Sequence, residues 1–138
     1  MSDDEIVPFL MHGTRTGMVA TVCDDGRPHV VPVWFVVDGG EIVFTTWHES
    51  VKAENLSREG RAAMAVDSPE PPYAFVKVEG PVTIVDDAEA TRRIATQIGG
   101  RYMGPERADD FGERNGVPGE WTVRLRMERV TAFAEMAS

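Results

Sequence analysis

One strand-to-helix junction in this sequence carries the residue types of an anion-binding site. A β-prone run ends at the hydroxyl residues Thr45 and Thr46, and Ser50 then opens a helical pattern with Lys52 in its first turn. A helix N-terminus presents unpaired N–H groups and a partial positive charge, so it attracts anions. A first-turn lysine is unfavourable in an isolated helix, and a bound anion would reverse that preference. The junction therefore predicts a phosphate site, with a solvated surface lysine as the alternative.

The choice of basic residues supports the phosphate interpretation. Of the 14 basic residues, twelve are arginine, and only Lys52 and Lys77 are lysine. Lysine provides a compact point charge that proteins often use to hold phosphate. A chain that otherwise uses arginine keeps this charge at a helix start.

A second candidate is the run Pro32, Val33, Trp34 and Phe35 inside a β-prone segment. Proline lacks an N–H group, so it marks an edge, a bulge or a gap in a sheet. Backbone groups left free beside a large aromatic ring would suit a flat heterocycle. The residues alone favour a simpler interpretation, in which one of the two aromatic rings fills the core.

Other kinds of catalytic site lack their residues in this sequence. The three histidines, His12, His29 and His48, have no ligand spacing with one another or with acidic residues, so no metal site is predicted. The single cysteine, Cys23, ends a predicted strand and is interpreted as a half-buried structural thiol. Neither a glycine-rich phosphate loop nor the Gly-x-Ser-x-Gly motif of a nucleophilic serine occurs.

The elements that position the candidate residues are mostly strands. Three runs joined by tight Asp/Gly turns predict an antiparallel meander: residues 18–22, 29–37 and 41–46. Four further strands are predicted downstream: residues 61–66, 73–79, 82–85 and 121–136. A turn is predicted at Gly80 and Pro81. The alternation of the last run changes phase near Glu128 and Arg129, which predicts a bulge or break there.

Three helices are predicted between these strands. One spans residues 2–10, where a capping box favours a helix and Pro8 opposes a regular one. The second begins at Ser50 and stops at Gly60. The third starts with a capping box at Asp86, ends at 99–100, and is followed by an irregular excursion over residues 104–119. About seven strands with three inserted helices predict a mainly β, α+β fold, a small barrel that the helices plug, as one domain over residues 1–138.

Charge and hydropathy exclude several partners. The chain has 138 residues, a formal net charge of −9 and a pI near 4.7, and it contains no basic run. Nucleic acids and anionic membranes repel such a surface. The apolar stretches are far shorter than the ~20 residues that span a bilayer, and the N-terminus is acidic where a secretory signal is basic. We therefore expect a soluble cytoplasmic protein without nucleic-acid or membrane partners.

Taken in order along the chain, these residues resemble the split β-barrel flavin and deazaflavin oxidoreductases, the relatives of pyridoxamine 5′-phosphate oxidase. The resemblance spans about residues 5–100 and is carried by an ordered series of segments: residues 28–35, 38–39, 42–46, 50–56, 61–66 and 73–81. It implies a split β-barrel of the FMN-binding-protein type with short inserted helices. It also implies a homodimer with two cofactor sites at the subunit interface.

The resemblance further implies which residues contact the cofactor, while the protein supplies no general acid or base of its own. The strand along the ring system would contribute Val30, Val31, Pro32, Val33 and Trp34. The cofactor phosphate would be held by Thr45, Thr46, Ser50 and Lys52. The partner subunit would contribute Tyr73, Phe75 and Lys77.

Within this family, the short barrel and the run of residues 32–35 look most like the branch that uses the deazaflavin coenzyme F420. The arginine-rich C-terminal motif that typifies the vitamin B6 oxidases does not occur in this sequence. The expected function is hydride transfer between F420 and a small organic substrate. FMN is the alternative cofactor, and a non-catalytic protein that binds a flavin or F420 is the alternative class.

Overall fold

Residues 1–137, which the computed structural model describes, form eight strands and four α-helices. The strands are β1 (Gly17–Val22), β2 (Pro28–Val33), β3 (Val36–Asp38), β4 (Glu41–Trp47), β5 (Arg61–Ser68), β6 (Ala74–Val85), β7 (Glu120–Arg126) and β8 (Arg129–Phe133). The helices are α1 (Asp3–Met11), α2 (Val51–Glu59), α3 (Ala88–Met103) and α4 (Ala108–Asn115), and a 3-10 turn, Pro105–Arg107, precedes α4. No helix within residues 1–137 has both the length and the apolar character needed to cross a membrane.

The strands pair antiparallel in the order β2-β1-β5-β6-β7-β4-β3, and β8 pairs with the first half of β6. β6 is therefore shared by two parts of the sheet: residues 75–79 face β8, whereas residues 82–85 face β7. This division curls the sheet into a half-open barrel. The predicted mainly β split barrel with inserted helices is confirmed.

Two apolar clusters hold the helices against the sheet. In the main cluster, alternate residues of β1, β5 and β6 point inward, and Leu10 of α1 and Leu56 of α2 are buried against them. Two helices thus plug the barrel, as predicted. The smaller cluster joins α3 to the other face of β3 and β4 and consists of Val36, Val43, Ile94 and Ile98.

Most of the caps, stops and breaks that the sequence predicts are present in the structure. The Ser2 backbone N–H and hydroxyl both donate to the Glu5 carboxylate, at 3.1 and 2.8 Å, and α1 accommodates Pro8 within its span. Gly60 ends α2 in the left-handed conformation, with φ of 69°. The predicted break in the last strand is confirmed, because β7 and β8 are separate strands with different partners.

Two strand predictions are wrong. The run 29–37 is not one strand, because the chain leaves the sheet after β2 and returns as β3. The sequence leaves open whether Pro32 marks an edge, a bulge or a gap. Pro32 lies in β2, which pairs only with β1 within the described chain, so the edge is the alternative observed. The predicted turn at Gly80 and Pro81 does not form, since both residues lie inside β6. Gly80 is needed there because a Cβ atom would collide with the Arg126 carbonyl oxygen.

The predictions for residues 86–119 also need correction. The cap of α3 is Asp87, not Asp86, and it accepts hydrogen bonds from the N–H groups of Glu89 and Ala90. α3 continues past the predicted stop at residues 99–100 to Met103, and the predicted irregular excursion contains α4. The glycines there serve helix packing instead: a Cβ atom on Gly99 would lie 2.6 Å from the Phe111 side chain.

Candidate functional site

The break between β2 and β3 presents Trp34 on a fixed platform. Its ring stacks on Tyr102 of α3, with centroids 4.8 Å apart and planes inclined by 3°. The Tyr102 hydroxyl accepts a hydrogen bond from the Phe35 N–H at 3.2 Å and donates one to the Arg15 carbonyl at 2.7 Å. Trp34 remains 39% exposed, whereas Phe35 is fully buried in the core. Of the two aromatic residues, Phe35 therefore has the core role that the sequence favoured, and Trp34 faces outward.

Arg101 fixes the same break from the side of α3. Its guanidinium donates to three carbonyls, those of Phe35 at 2.6 Å, Leu10 at 2.8 Å and Gly13 at 3.0 Å. Burial lowers the pKa of Arg101. Because these carbonyls belong to the end of α1 and to the strand break, one side chain ties both segments to α3.

The strand-to-helix junction is built from hydroxyl contacts. Ser50 caps α2 by accepting a hydrogen bond from the Ala53 N–H at 3.1 Å, and its hydroxyl lies 2.8 Å from that of Thr46. Thr46 is only 2% exposed. Thr45 points to the opposite face of β4, toward a cleft, because successive side chains of a strand alternate between its two faces.

This cleft encloses about 410 Å³ and collects residues from distant parts of the chain. Seven parts of the chain contribute to it: the residue before β1, β2 with the break that follows it, β4, α2, α3, α4 and the start of β7. The lining residues are Thr16, Pro32, Val33, Trp34, Thr45, Lys52, Ile98, Asn115 and Glu120. A second hollow of about 380 Å³ adjoins it, between α3 and α4, and shares four of these residues, Trp34 among them. Its further lining residues are Ala95, Met103, Phe111 and Arg114.

The cleft places a positive charge near a negative one. Lys52 is half-buried, and this burial lowers the pKa of its ammonium, while the charge of Glu120 acts in the opposite direction. Burial raises the pKa of Glu120, and the Thr45 hydroxyl, Lys52 and Arg114 partly counteract that rise. Each charged group thus pays a desolvation cost that the other reduces only in part. An anion beside Lys52 would stabilise the charged lysine.

The structure brings five of the predicted site residues into this cleft: Pro32, Val33, Trp34, Thr45 and Lys52. Ser50 stands at the start of α2 as its cap, and Thr46 lies on the buried side of β4. Val30 is 59% exposed on the outer face of β2, and Val31 packs against the main core.

The remaining three predicted residues lie away from the cleft of their own chain. Phe75 stacks on Phe133 of β8 with centroids 5.4 Å apart, and Lys77 forms an ion pair with Glu79 at 3.6 Å. Tyr73, just before β6, has a positive φ of 67° and is 44% exposed. None of the three lines the cleft of its own chain, and their contribution from a partner subunit stays a prediction.

Sequence reasoning missed Glu120, Asn115 and Thr16. Glu120 directly precedes the alternating residues of the last run, so in the sequence it resembles an ordinary strand flank. Its position follows only from the register in which it pairs with Trp47 at the end of β4. The His48 backbone N–H donates to the Gly119 carbonyl at 2.9 Å and fixes this register. A local pattern contains no such pairing information.

Comparisons with known proteins agree on one family. A family model described as pyridoxamine 5′-phosphate oxidase matches residues 2–133. The conserved hypothetical protein Rv2991 from Mycobacterium tuberculosis is 30% identical, with a TM-score of 0.87 over 99% of this chain and 87% of that one. The structure of an F420 reductase is 26% identical, with a TM-score of 0.70 over 88% of this chain and 93% of that one.

A third solved structure supports the fold alone. HutZ, a heme storage protein from Vibrio cholerae, is 21% identical, with a TM-score of 0.71 over 96% of this chain and 94% of that one. The comparison with curated protein sequences gives no match.

Proposed function

Because the chain belongs to the pyridoxamine 5′-phosphate oxidase family, we propose that it is an oxidoreductase that binds coenzyme F420 in the cleft and transfers hydride to or from a small organic substrate. The observation that carries the proposal is that Lys52, Thr45 and residues 32–34 line the same cleft. The similarity to an F420 reductase supports the choice of cofactor.

The residues present fit such a cofactor. A volume of about 410 Å³ lies in the range of small-molecule sites, about 300–1,000 Å³. Trp34, which is held flat by Tyr102, offers a fixed aromatic surface beside the strand break. Lys52 supplies a partly desolvated positive charge for a phosphate, since such charges gain most from an anionic partner.

In this proposal the chain binds and orients the cofactor, which supplies the hydride chemistry when bound. Lys52 would hold the phosphate, and the backbone and side chains of residues 32–34 would fix the position of the ring system. The adjoining hollow beside Trp34 would leave space for the organic substrate next to the ring. A single cysteine is compatible with the reducing cytoplasm, which is the compartment we propose.

We further propose that two chains form a twofold homodimer whose subunits complete each other's clefts. The support is a group of exposed apolar side chains on the outer face of β1, β2 and β8: Met18, Val22, Val30 and Phe133. Large apolar patches on soluble proteins mark interaction surfaces. Pro32 lies on the outer side of β2 opposite Met18 and also lines the cleft, so a subunit that covers this face reaches the cleft.

The proposal is tested by titrating the purified protein with F420 and following the cofactor's fluorescence. Lys52→Ala should weaken binding by roughly 1.5–3 kcal/mol, the range of a charge-assisted hydrogen bond. The control is Arg93→Ala, which removes one positive charge from an exposed position on α3 outside the cleft. Unchanged affinity in a folded Lys52→Ala protein would place the phosphate elsewhere.

A turnover assay separates the remaining functions. Reduced F420 is mixed with quinones, nitroaromatics and enones, and its oxidation is followed by absorbance. Turnover with F420 supports the proposed oxidoreductase. Turnover with FMN alone would transfer the assignment to the alternative cofactor, and tight binding without turnover of any acceptor would identify a binding protein.

A further inference from the structure

A negative charge lies close to the proposed phosphate position. Lys52 of α2 and Glu120 of β7 line the same hollow, and both are half-buried there. Of the other elements packed around Glu120, β4 contributes the neutral Thr45, and the turn before α2 contributes His48, whose Nδ1 lies 3.0 Å from the carbonyl oxygen of the adjacent Gly119. The Thr91 hydroxyl of α3 donates to the Glu120 carbonyl, and α4 contributes Asn115 and the exposed Arg114, which lines the adjoining hollow. A phosphate held by Lys52 would therefore lie within the field of a carboxylate.

Phosphate esters differ in the charge that they bring to such a place. A phosphomonoester carries about −1.5 to −2 at pH 7, because its second pKa is near 6. A phosphodiester carries a single negative charge. One ammonium matches the diester, whereas the second charge of a monoester would meet a nearby carboxylate in a partly desolvated cleft, where Coulomb repulsion is strong.

We propose that Glu120 is a specificity-determining residue that makes the cleft select a singly charged phosphodiester over a doubly charged phosphomonoester. The inference rests on the proposed function, in which the cofactor phosphate lies at Lys52. It distinguishes the two cofactors of this proposal, because F420 carries its phosphate as a diester and FMN carries a monoester. Glu120 acts as a repulsive element, which is a common route to specificity.

The same charge arrangement gives a pH signature. A monoester loses its second charge as the pH falls through its second pKa, near 6. FMN affinity of the native protein should therefore rise as the pH falls from 8 to 6, because the singly charged ester is repelled less by the Glu120 carboxylate. The rise should be smaller in Glu120→Gln, in which the second charge of the ester meets no carboxylate.

The experiment measures F420 and FMN affinities for the native protein, Glu120→Gln, Glu120→Asp and Lys52→Ala at pH 7.5. The deazaflavin without its phosphate arm and riboflavin are titrated in parallel, so that ring preference can be divided out. Glu54→Gln is the matched control, because Glu54 is exposed on the same helix as Lys52 and lies outside both hollows.

Glu120→Gln should raise FMN affinity about tenfold and F420 affinity only about threefold, because the repulsion that is lost scales with the charge of the ester. Glu120→Asp should keep most of the discrimination, and Glu54→Gln should change neither affinity. A native protein that binds FMN as tightly as F420 after the ring correction would overturn the inference. So would an unchanged affinity ratio in a folded Glu120→Gln protein.

The outcomes separate this inference from the proposed function. If Lys52→Ala weakens F420 binding but Glu120→Gln leaves the ratio unchanged, the phosphate position stands and the selective role of Glu120 is wrong. If Lys52→Ala has no effect on any phosphate-bearing cofactor, both are wrong. A native protein that binds neither cofactor also overturns both.

Discussion

Individual side chains in this protein act through the partners that hold them. Trp34 can form a wall of the cleft because Tyr102 stacks on it and, through one hydroxyl, holds the backbone of the adjacent Phe35 and of Arg15 before β1. The platform and the strand break are therefore one unit. A change to the Tyr102 hydroxyl would alter stability without removing the aromatic surface.

Tyr102→Phe should lower the free energy of unfolding by about 1–3 kcal/mol, because the Phe35 N–H and the Arg15 carbonyl lose their hydrogen-bond partner. Stacking on Trp34 should persist, so F420 binding should change less than stability does. Urea unfolding measures the first quantity and fluorescence titration the second. Tyr73→Phe, at an exposed position, is the control for the unfolding measurement alone, because Tyr73 is itself proposed to contact the cofactor. Equal stability of the two variants would contradict the role of the Tyr102 hydroxyl.

Glu120 should make stability depend on pH. Burial raises its pKa in the folded state, so the folded protein favours the protonated carboxyl. Its ionisation therefore costs stability as the pH rises through the folded pKa, and this cost is absent below the unfolded value. Glu120→Gln should melt at a higher temperature than the native protein at pH 7–8, and the difference should shrink toward pH 4. A melting difference that grows toward acid pH would contradict this sign.

At the residue scale, the sequence predicts the site residues that a local pattern or the composition marks. Lys52 and Thr45 were found because a strand end and a helix start are adjacent in the chain. Glu120 and Tyr102 were not found, because each reaches the cleft through pairing or packing with residues far away in sequence. Both are ordinary residues in their own segments, and tertiary contacts alone give them a place in the site.

At the element scale, the packing of α3 against α4 decides the shape of the second hollow. Three glycines lie at this contact: Gly99 faces Phe111, Gly112 faces Thr96, and Gly116 faces Arg92. Their absent side chains bring the two helices close together. In the sequence, Gly99 and Gly100 resemble a helix stop and the later glycines resemble an irregular stretch, so the sequence predicts too early an end for α3 and does not predict α4.

This packing predicts opposite effects for two similar substitutions. Gly112→Ala should destabilise the fold by about 1–3 kcal/mol, because its Cβ atom would collide with the Thr96 hydroxyl and lie 3.2 Å from the Arg92 carbonyl. Gly100→Ala should stabilise α3 by about 0.5–1 kcal/mol, because its Cβ atom would meet Ala108 at an ordinary 3.5 Å. Chemical denaturation of both variants measures the two shifts. Shifts of the same sign would contradict this packing.

At the scale of the whole molecule, one face of the sheet exposes several large apolar side chains although the chain is strongly acidic. The chain carries a formal net charge of −9, yet Met18, Val22 and Val30 lie exposed on the outer face of neighbouring strands. The accessible surface totals 7614 Å². A standard interface removes about 800 Å² from each partner, roughly a tenth of this surface. A second copy of the chain is the proposed cover, because twofold symmetry pairs the same face with itself.

The homodimer is tested at Ala20, whose exposed position lies between Val30 of β2 and Ala63 of β5 in the middle of this face. Light scattering of the native protein should give twice the chain mass of 15.2 kDa. Ala20→Arg should give the mass of a single chain, because an unpaired charge in a buried interface is strongly unfavourable.

Loss of the dimer should also weaken cofactor binding. If the partner subunit contributes Tyr73, Phe75 and Lys77, Ala20→Arg should weaken F420 binding at least about tenfold, although Ala20 does not line the cleft. Gln97→Arg adds the same charge to an exposed position on α3 and should change neither mass nor affinity. A native protein that scatters as one chain would disprove the dimer. A single-chain Ala20→Arg protein with native affinity would show that each subunit binds the cofactor alone.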